Sequence, residues 1–243
     1  MNWYVQDGGA IFLLIRYILA FVAFLTFIKL IFSPPKEAIR KGFHFFYSFS
    51  GIILLYYFAS WLTAAITISL FFLTAAAYLF IEERFFPKKI FDLDREGTYN
   101  FREIIWQIML VLTMQVLLIV IFRPILSQPF HAVMGMLIWG VGDAAAAVVG
   151  TKYGRINFPG IIMSRRKTLA GTLALIISVG LTVILVVNIS GVITFRGPVL
   201  FLYALVLAIT AALAEGTARK GLDSLTMPLF TAITSYLFVL LFL

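Results

Sequence analysis

The chain has no cysteine among its 243 residues, and only 12% of them are charged. The first absence excludes disulfides, thiolate metal sites and cysteine nucleophiles, and it says little about compartment. The second, set beside a hydrophobic share of 62% and a mean hydropathy of +1.04, excludes an ordinary soluble domain. A chain of this size cannot bury so much apolar surface against itself, so its solvent is lipid. Also missing are low-complexity tracts, a convincing internal repeat, any G-x-x-x-x-G-K-[ST] phosphate loop and any nucleic-acid-binding motif. No nucleic-acid partner is expected. The net charge of +8 reads as topology and attraction to anionic lipid.

What is present is a series of about eight apolar stretches, at 10–32, 43–58, 61–81, 104–122, 130–150, 169–189, 199–214 and 225–243. Their lengths are close to the ~20 residues that a bilayer helix needs. The expectation is an all-α polytopic membrane protein forming one membrane domain over residues 1–243. The first stretch is too long for a signal-peptide core and lacks a basic leader, so it is expected to be a retained helix. Sixteen of the 19 Lys and Arg residues fall in the odd-numbered gaps, against only Arg123 and Arg196 in the even-numbered ones, with Arg16 inside the first span. The positive-inside rule then places the odd gaps in the cytoplasm and both termini outside. The longest polar stretch, 82–103, is expected to be an interfacial loop with a short helix.

Chemistry concentrates in the cytoplasmic gaps. Asp143 lies inside the fifth span, where a carboxylate costs a few kcal/mol unless a cation, a partner charge or a polar cavity receives it. Gly142, the four alanines 144–147 and Gly150 give that helix a thin profile open to close approach. Past the Gly150-x-x-x-Gly154 turn come Arg165, Arg166, Lys167 and Thr168, just ahead of the sixth span. Thr168 is placed to cap that helix, and helix-start amides beside basic side chains suit a polyphosphate. In the second span Arg40, Lys41 and His44 share one helical face, which suits an anionic substrate or proton transfer. The same pattern also fits interfacial basic residues with a bystander histidine. Glu215 and Asp223 flank the last cytoplasmic gap and, with Asp143, can hold Mg²⁺, which takes a few carboxylates plus substrate phosphates. Helix capping and pairing with Arg219 are the alternative. His131 enters the fifth span from the external side and is expected to be structural.

These residues resemble the CTP-dependent lipid-alcohol kinases, the polyprenol kinase family of dolichol kinase, phytol kinase and the CTP-using diacylglycerol kinase. The resemblance rests on Arg40-Lys41-x-x-His44, on Gly142-Asp143 followed by Gly150 and Gly154, and on Lys167-Thr168-x-x-Gly171. It extends to Arg95-Glu96-Gly97 and to Glu215 followed by Gly221-Leu222-Asp223 and Pro228. Two positions depart from it. Ala170 and Ser224 stand where the family usually carries glutamate and asparagine, and the first removes a candidate metal or ribose contact.

The resemblance implies transfer of the γ-phosphoryl group of CTP, with Mg²⁺, to the hydroxyl of a membrane lipid alcohol. That alcohol would be a polyprenol, a phytol-type isoprenoid or diacylglycerol, reached from the cytoplasmic face. It makes Asp143 a metal ligand or base, assisted at the metal by Glu215 and Asp223. Arg166, Lys167 and Thr168 would hold phosphates, and Gly150, Gly154 and Gly171 would let the nucleotide approach the backbone. Arg40 and Lys41 would neutralise the transferred group, and His44 would move a proton. The membrane would be the plasma membrane in a prokaryote, or the endoplasmic reticulum or a plastid membrane in a eukaryote. A phosphatidate cytidylyltransferase-like enzyme and a secondary transporter are the alternatives. The oligomeric state is not legible.

The charge partition is directly testable in this cysteine-free background. Single cysteines placed beside Lys88, Arg155 and Lys220 should react with an impermeant maleimide only from the cytoplasm, and those near Arg123 and Arg196 only from outside. Labelling near Arg155 and Arg123 from the same side would remove the basis for a shared cytoplasmic site.

Overall fold

Each apolar stretch of the sequence becomes a helix, and the helices are longer than the apolar runs because their polar ends continue the same turns. The protein is described by a computed structural model covering residues 3–34, 36–85, 101–157, 167–218 and 221–243. Eight helices follow in chain order: α1 (Trp3–Phe32), α2 (Lys36–Ile52), α3 (Trp61–Phe85), α4 (Phe101–Val120), α5 (Pro129–Tyr153), α6 (Leu169–Ser190), α7 (Gly197–Thr217) and α8 (Asp223–Phe242). The described residues contain no strand, only a single bridge between Asn157 and Thr168. Seven of the helices are long and apolar enough to cross a bilayer. The protein is an all-α polytopic membrane protein.

The count of about eight spans is therefore met by seven strongly apolar helices and one that differs. The stretch expected at 43–58 is helical, as α2 and a π turn over Ile53–Tyr57. It falls short of a self-sufficient span because its inward side carries Arg40, Lys41, Ser48 and Ser50, all buried. Such a helix needs neighbours that accept polar groups. Residues 82–85 and 101–103 of the expected loop are the ends of α3 and α4. The remainder, with Lys88 and Arg95-Glu96-Gly97, lies outside the described residues.

α5 is the axis. Every residue from Phe130 to Gly140 is buried, whereas α1, α6 and α8 each turn large side chains such as Leu19, Leu185 and Leu240 outward, where lipid receives them. Small residues make this enclosure possible, since helices in lipid associate through close packing rather than hydrophobic exclusion. At Gly140 an added Cβ would collide with the Ser48 side chain and crowd the His44 carbonyl of α2, and at Gly135 it would strike the Pro228 carbonyl and Ala232 of α8. The two glycines let α2 and α8 touch the α5 backbone.

The end of the bundle away from the basic gaps is tied by backbone chemistry. Pro124 has no N–H to continue α4, and the chain passes through a second π turn, Ile121–Ile125, with Leu126 N–H donating to the Ile121 carbonyl at 2.9 Å. From this turn Arg123 donates to the carbonyls of Leu55 (2.7 Å), Phe58 and Ala59 (both 3.1 Å). Asp7 of α1 accepts from Ala59 N–H at 2.6 Å in the same corner. His131 is buried, with Nδ1 2.7 Å from Ser235 Oγ, and Tyr203 OH bonds the same serine. The expectation of a structural histidine agrees with this placement.

Gly140→Ala should force α2 off α5 and lower stability by about 1–3 kcal/mol, the usual cost of overpacking. Gly180→Ala, where an added Cβ meets nothing within 4 Å, should be neutral or slightly stabilising. Thermal unfolding of both variants in detergent checks the contrast. Equal effects would show that the Gly140 contact does not set the helix spacing.

Candidate functional site

Close contact at Gly140 sets the register of α2 against α5 and brings Lys41 and His44 beside Asp143. The Lys41 ammonium donates to Asp143 Oδ1, and His44 Nδ1 lies 3.0 Å from Oδ2. Lys41 and Asp143 are 6% and 3% exposed, so neither charge reaches bulk solvent. A pair in such surroundings persists because breaking it would strand the other charge. Trp139, one turn before Asp143, lies beside the His44 ring with centroids 5.0 Å apart. With the carboxylate accepting from Nδ1–H, the imidazole keeps Nε2 as its acceptor.

A second cluster forms where α6, α7 and α8 meet. Lys167, just ahead of α6, donates to Glu215 near the end of α7 and lies 3.9 Å from Asp223 Oδ2 at the start of α8. Burial works against the charged form of Lys167. The carboxylates of Glu215, Asp223 and Asp143 outweigh it and hold its pKa above the ordinary lysine value. Asp143 thus lies within electrostatic reach of both clusters. Gly221, at φ +80°, makes the turn that brings Asp223 back, a backbone shape that side chains rarely adopt.

The structure brings together half of the expected residues: Lys41, His44, Asp143, Lys167, Glu215 and Asp223 gather at one end of the bundle. Arg166, with Arg165, lies outside the described residues, as do Arg219 and Lys220. Arg40 is buried on the same helix face as His44 and lines a different space from Lys41, as described below. Thr168 caps α6, its hydroxyl accepting from Gly171 N–H at 3.2 Å. The expected phosphate-facing amides are partly committed, since Leu169 N–H donates to the Ile156 carbonyl at 2.9 Å. The close approach offered by Gly150, Gly154 and Gly171 is taken up between helices: added Cβ atoms there would meet Thr168 and the Ala146 carbonyl.

The three acidic candidates do not form one nest. Among the described residues no group of three or more His, Asp or Glu side chains is placed to hold a metal ion. Glu215 and Asp223 nevertheless both lie within 4 Å of one ammonium. These two carboxylates on adjacent helix ends fit Mg²⁺, which needs only one or two of them when phosphates and water complete its shell.

Sequence reading missed the apolar half of the site. A cavity of about 560 Å³ lies between α1 and α2 on one side and α3 and α4 on the other, with Trp139 of α5 in its wall. Arg40 and His44 line it, along with Phe21, Phe43, Phe72 and Val111. In the sequence these aromatics and aliphatics look like any other membrane-span residues. Only Phe43 and Tyr47, at three-residue steps from Arg40 and His44, carried a signal.

Over 112 residues the chain is 32% identical to a phytol kinase of Synechocystis sp., a match covering 46% of each protein. The chain thus matches about half the length of this curated relative. No protein-family model and no solved structure matches the chain.

Asp143→Asn should cost about 3–5 kcal/mol, because it leaves Lys41 buried without its carboxylate. Lys41→Met combined with Asp143→Asn should recover much of that loss, since the stranded charge is gone. Equilibrium unfolding in mixed micelles gives the double-mutant cycle. Simple additivity of the two losses would show that the pair is not coupled.

Proposed function

We propose that the chain transfers the γ-phosphoryl group of CTP to the hydroxyl of a membrane lipid alcohol at the cytoplasmic face. The observation that carries this reading is the His44–Asp143 pair at the polar end of an apolar cavity, in a bundle whose neighbouring cluster gathers a lysine and two carboxylates. The partial likeness to a phytol kinase supports a lipid kinase, and the resemblance carried by the motif residues named above is what favours CTP as the donor.

The division of labour follows the geometry. An alcohol lying in the cavity presents its hydroxyl to His44, whose Nε2 accepts the proton while Asp143 holds Nδ1–H and stabilises the imidazolium that forms. The alcohol oxygen bonds to the γ-phosphorus, the bond from that phosphorus to the β–γ bridging oxygen breaks, and CDP leaves. Arg40 balances charge on the transferred group from the cavity side, Lys41 acts through its pair with Asp143, and Lys167 with the residues ahead of α6 grips the nucleotide phosphates. Phosphoryl transfer asks mainly for such positioning and charge neutralisation. Glu215 and Asp223, with Asp143 nearby, are the residues that would hold Mg²⁺, which when bound supplies further neutralisation on the phosphates.

Purified protein in lipid nanodiscs with an isoprenoid alcohol should move label into the lipid from γ-labelled CTP and none from α-labelled CTP. With phosphatidate also in the nanodiscs, a cytidylyltransferase would incorporate the α label and release pyrophosphate, and a transporter would incorporate neither. Lys167→Ala should raise the KM for CTP about tenfold or more, equivalent to roughly 1.4 kcal/mol of binding. Arg40→Ala should mainly lower turnover at saturating CTP, as expected for a contact strengthened in the transition state. If both variants weaken CTP binding alike with turnover intact, these two roles are wrongly divided.

A further inference from the structure

The cavity has a direction and a depth. Arg40 and His44 mark its polar end. At the other end Tyr47 of α2 and Phe72 of α3, both buried, pack edge to face with ring centroids 5.2 Å apart and close the floor. Along α2 the lining runs from Arg40 to Tyr47, and along α4 from Ile104 to Val111. Each is a rise of seven residues, or roughly 10 Å at ~1.5 Å per residue. The hydrocarbon core of a bilayer is ~30 Å thick, so the floor lies well short of the far leaflet.

Resting on the lipid-alcohol reading above, we infer that this cavity, which is only partly enclosed, holds only the first ~10 Å of the acceptor's hydrocarbon chain, with the remainder leaving through its open side into the surrounding lipid. An extended chain advances ~3.3–3.6 Å per three bonds, so roughly eight or nine carbons reach the Tyr47–Phe72 floor. The volume is larger than a bare chain of that length requires. At ~30 Å³ per non-hydrogen atom, the liquid share of one water, the cavity of about 560 Å³ holds nearly twenty such atoms. Recognition therefore reads the head of an aliphatic alcohol and its first carbons, and is blind to total length. A groove that measured a long chain would need an opening past Tyr47 and Phe72, and these rings occupy that position.

Two measurements on the full chain in nanodiscs test this. In the first, straight-chain primary alcohols from C6 to C20 are compared at equal mole fraction in the membrane with labelled CTP. Transfer should climb to about C8–C10 and then stay within twofold to C20. A steady rise to C20, or a sharp optimum at one long length, would overturn the inference. The second needs no turnover. Trp3, Trp61 and Trp106 are replaced by Phe, leaving Trp139 in the cavity wall, and its fluorescence is quenched by alcohols brominated at different carbons. Bromine within the first eight carbons should quench strongly and bromine at carbon 16 should not. Ala75→Phe, which fills the cavity from α3, should remove the proximal quenching and lower kcat/KM for the alcohol at least tenfold, with tritiated CTP retained equally. Equal quenching from both positions, or quenching untouched by Ala75→Phe, overturns the cavity assignment. Proximal quenching without any transfer from CTP would sink the kinase reading and leave the cavity as a binding site for the alcohol.

Discussion

A carboxylate inside a membrane-spanning helix has to find a cation, and much of this molecule's arrangement follows from how Asp143 does so. Lys41 and His44 come from α2, a helix whose polar inward side makes it the least lipid-compatible of the eight. Each of the two helices supplies what the other lacks. α5 is thin enough at Gly140 for α2 to reach its backbone, and α2 carries the charge that makes Asp143 tolerable within the bilayer. The same contact leaves His44 with one nitrogen on Asp143 and its ring in the cavity wall. Fold and site therefore depend on a single helix crossing.

The fold was largely legible because its cause is composition. Long apolar runs separated by basic gaps admit few arrangements other than a helical bundle in lipid, and the helices overlap all eight stretches. Asp143 was legible as a position that needs partners for a related reason: a charge in such a run is costly, so its position carries information. The partners were harder to read. That Asp143 would take Lys41 and His44 depends on packing across a hundred residues of sequence, which no local spacing encodes. Arg123 looked like a flanking charge of the outer face, yet it caps carbonyls at the end of another helix, a role invisible without the π turn at Pro124. The cavity was the least legible feature. Phe21, Phe72 and Val111 differ in no property from dozens of lipid-facing neighbours, and only three-dimensional position sets them apart.

The small residues around the site show how one motif can serve two ends. Gly150, Gly154 and Gly171 belong to the stretches that suggested nucleotide contact, and in the folded chain they permit the end of α5 and the start of α6 to touch. That contact holds Lys167 where Glu215 and Asp223 meet it. The glycines thereby act on the charged cluster through the placement of a lysine.

The corner at residues 55–60 fixes the mechanics of the cavity. Arg123, just past α4, grips the carbonyls ending α2, and Asp7 of α1 grips the amides opening α3. The four helices α1 to α4, which wall the cavity together with Trp139 of α5, are thus joined at the face opposite the basic gaps by hydrogen bonds between two side chains and backbone atoms. A frame fastened at one end can widen only by splaying from the other. α2 is tied at that other end too, by Lys41 and His44 on Asp143, so the widening falls to α1, α3 and α4. An amphiphile entering sideways from the bilayer therefore displaces those three helices and leaves the α2–α5 crossing in place.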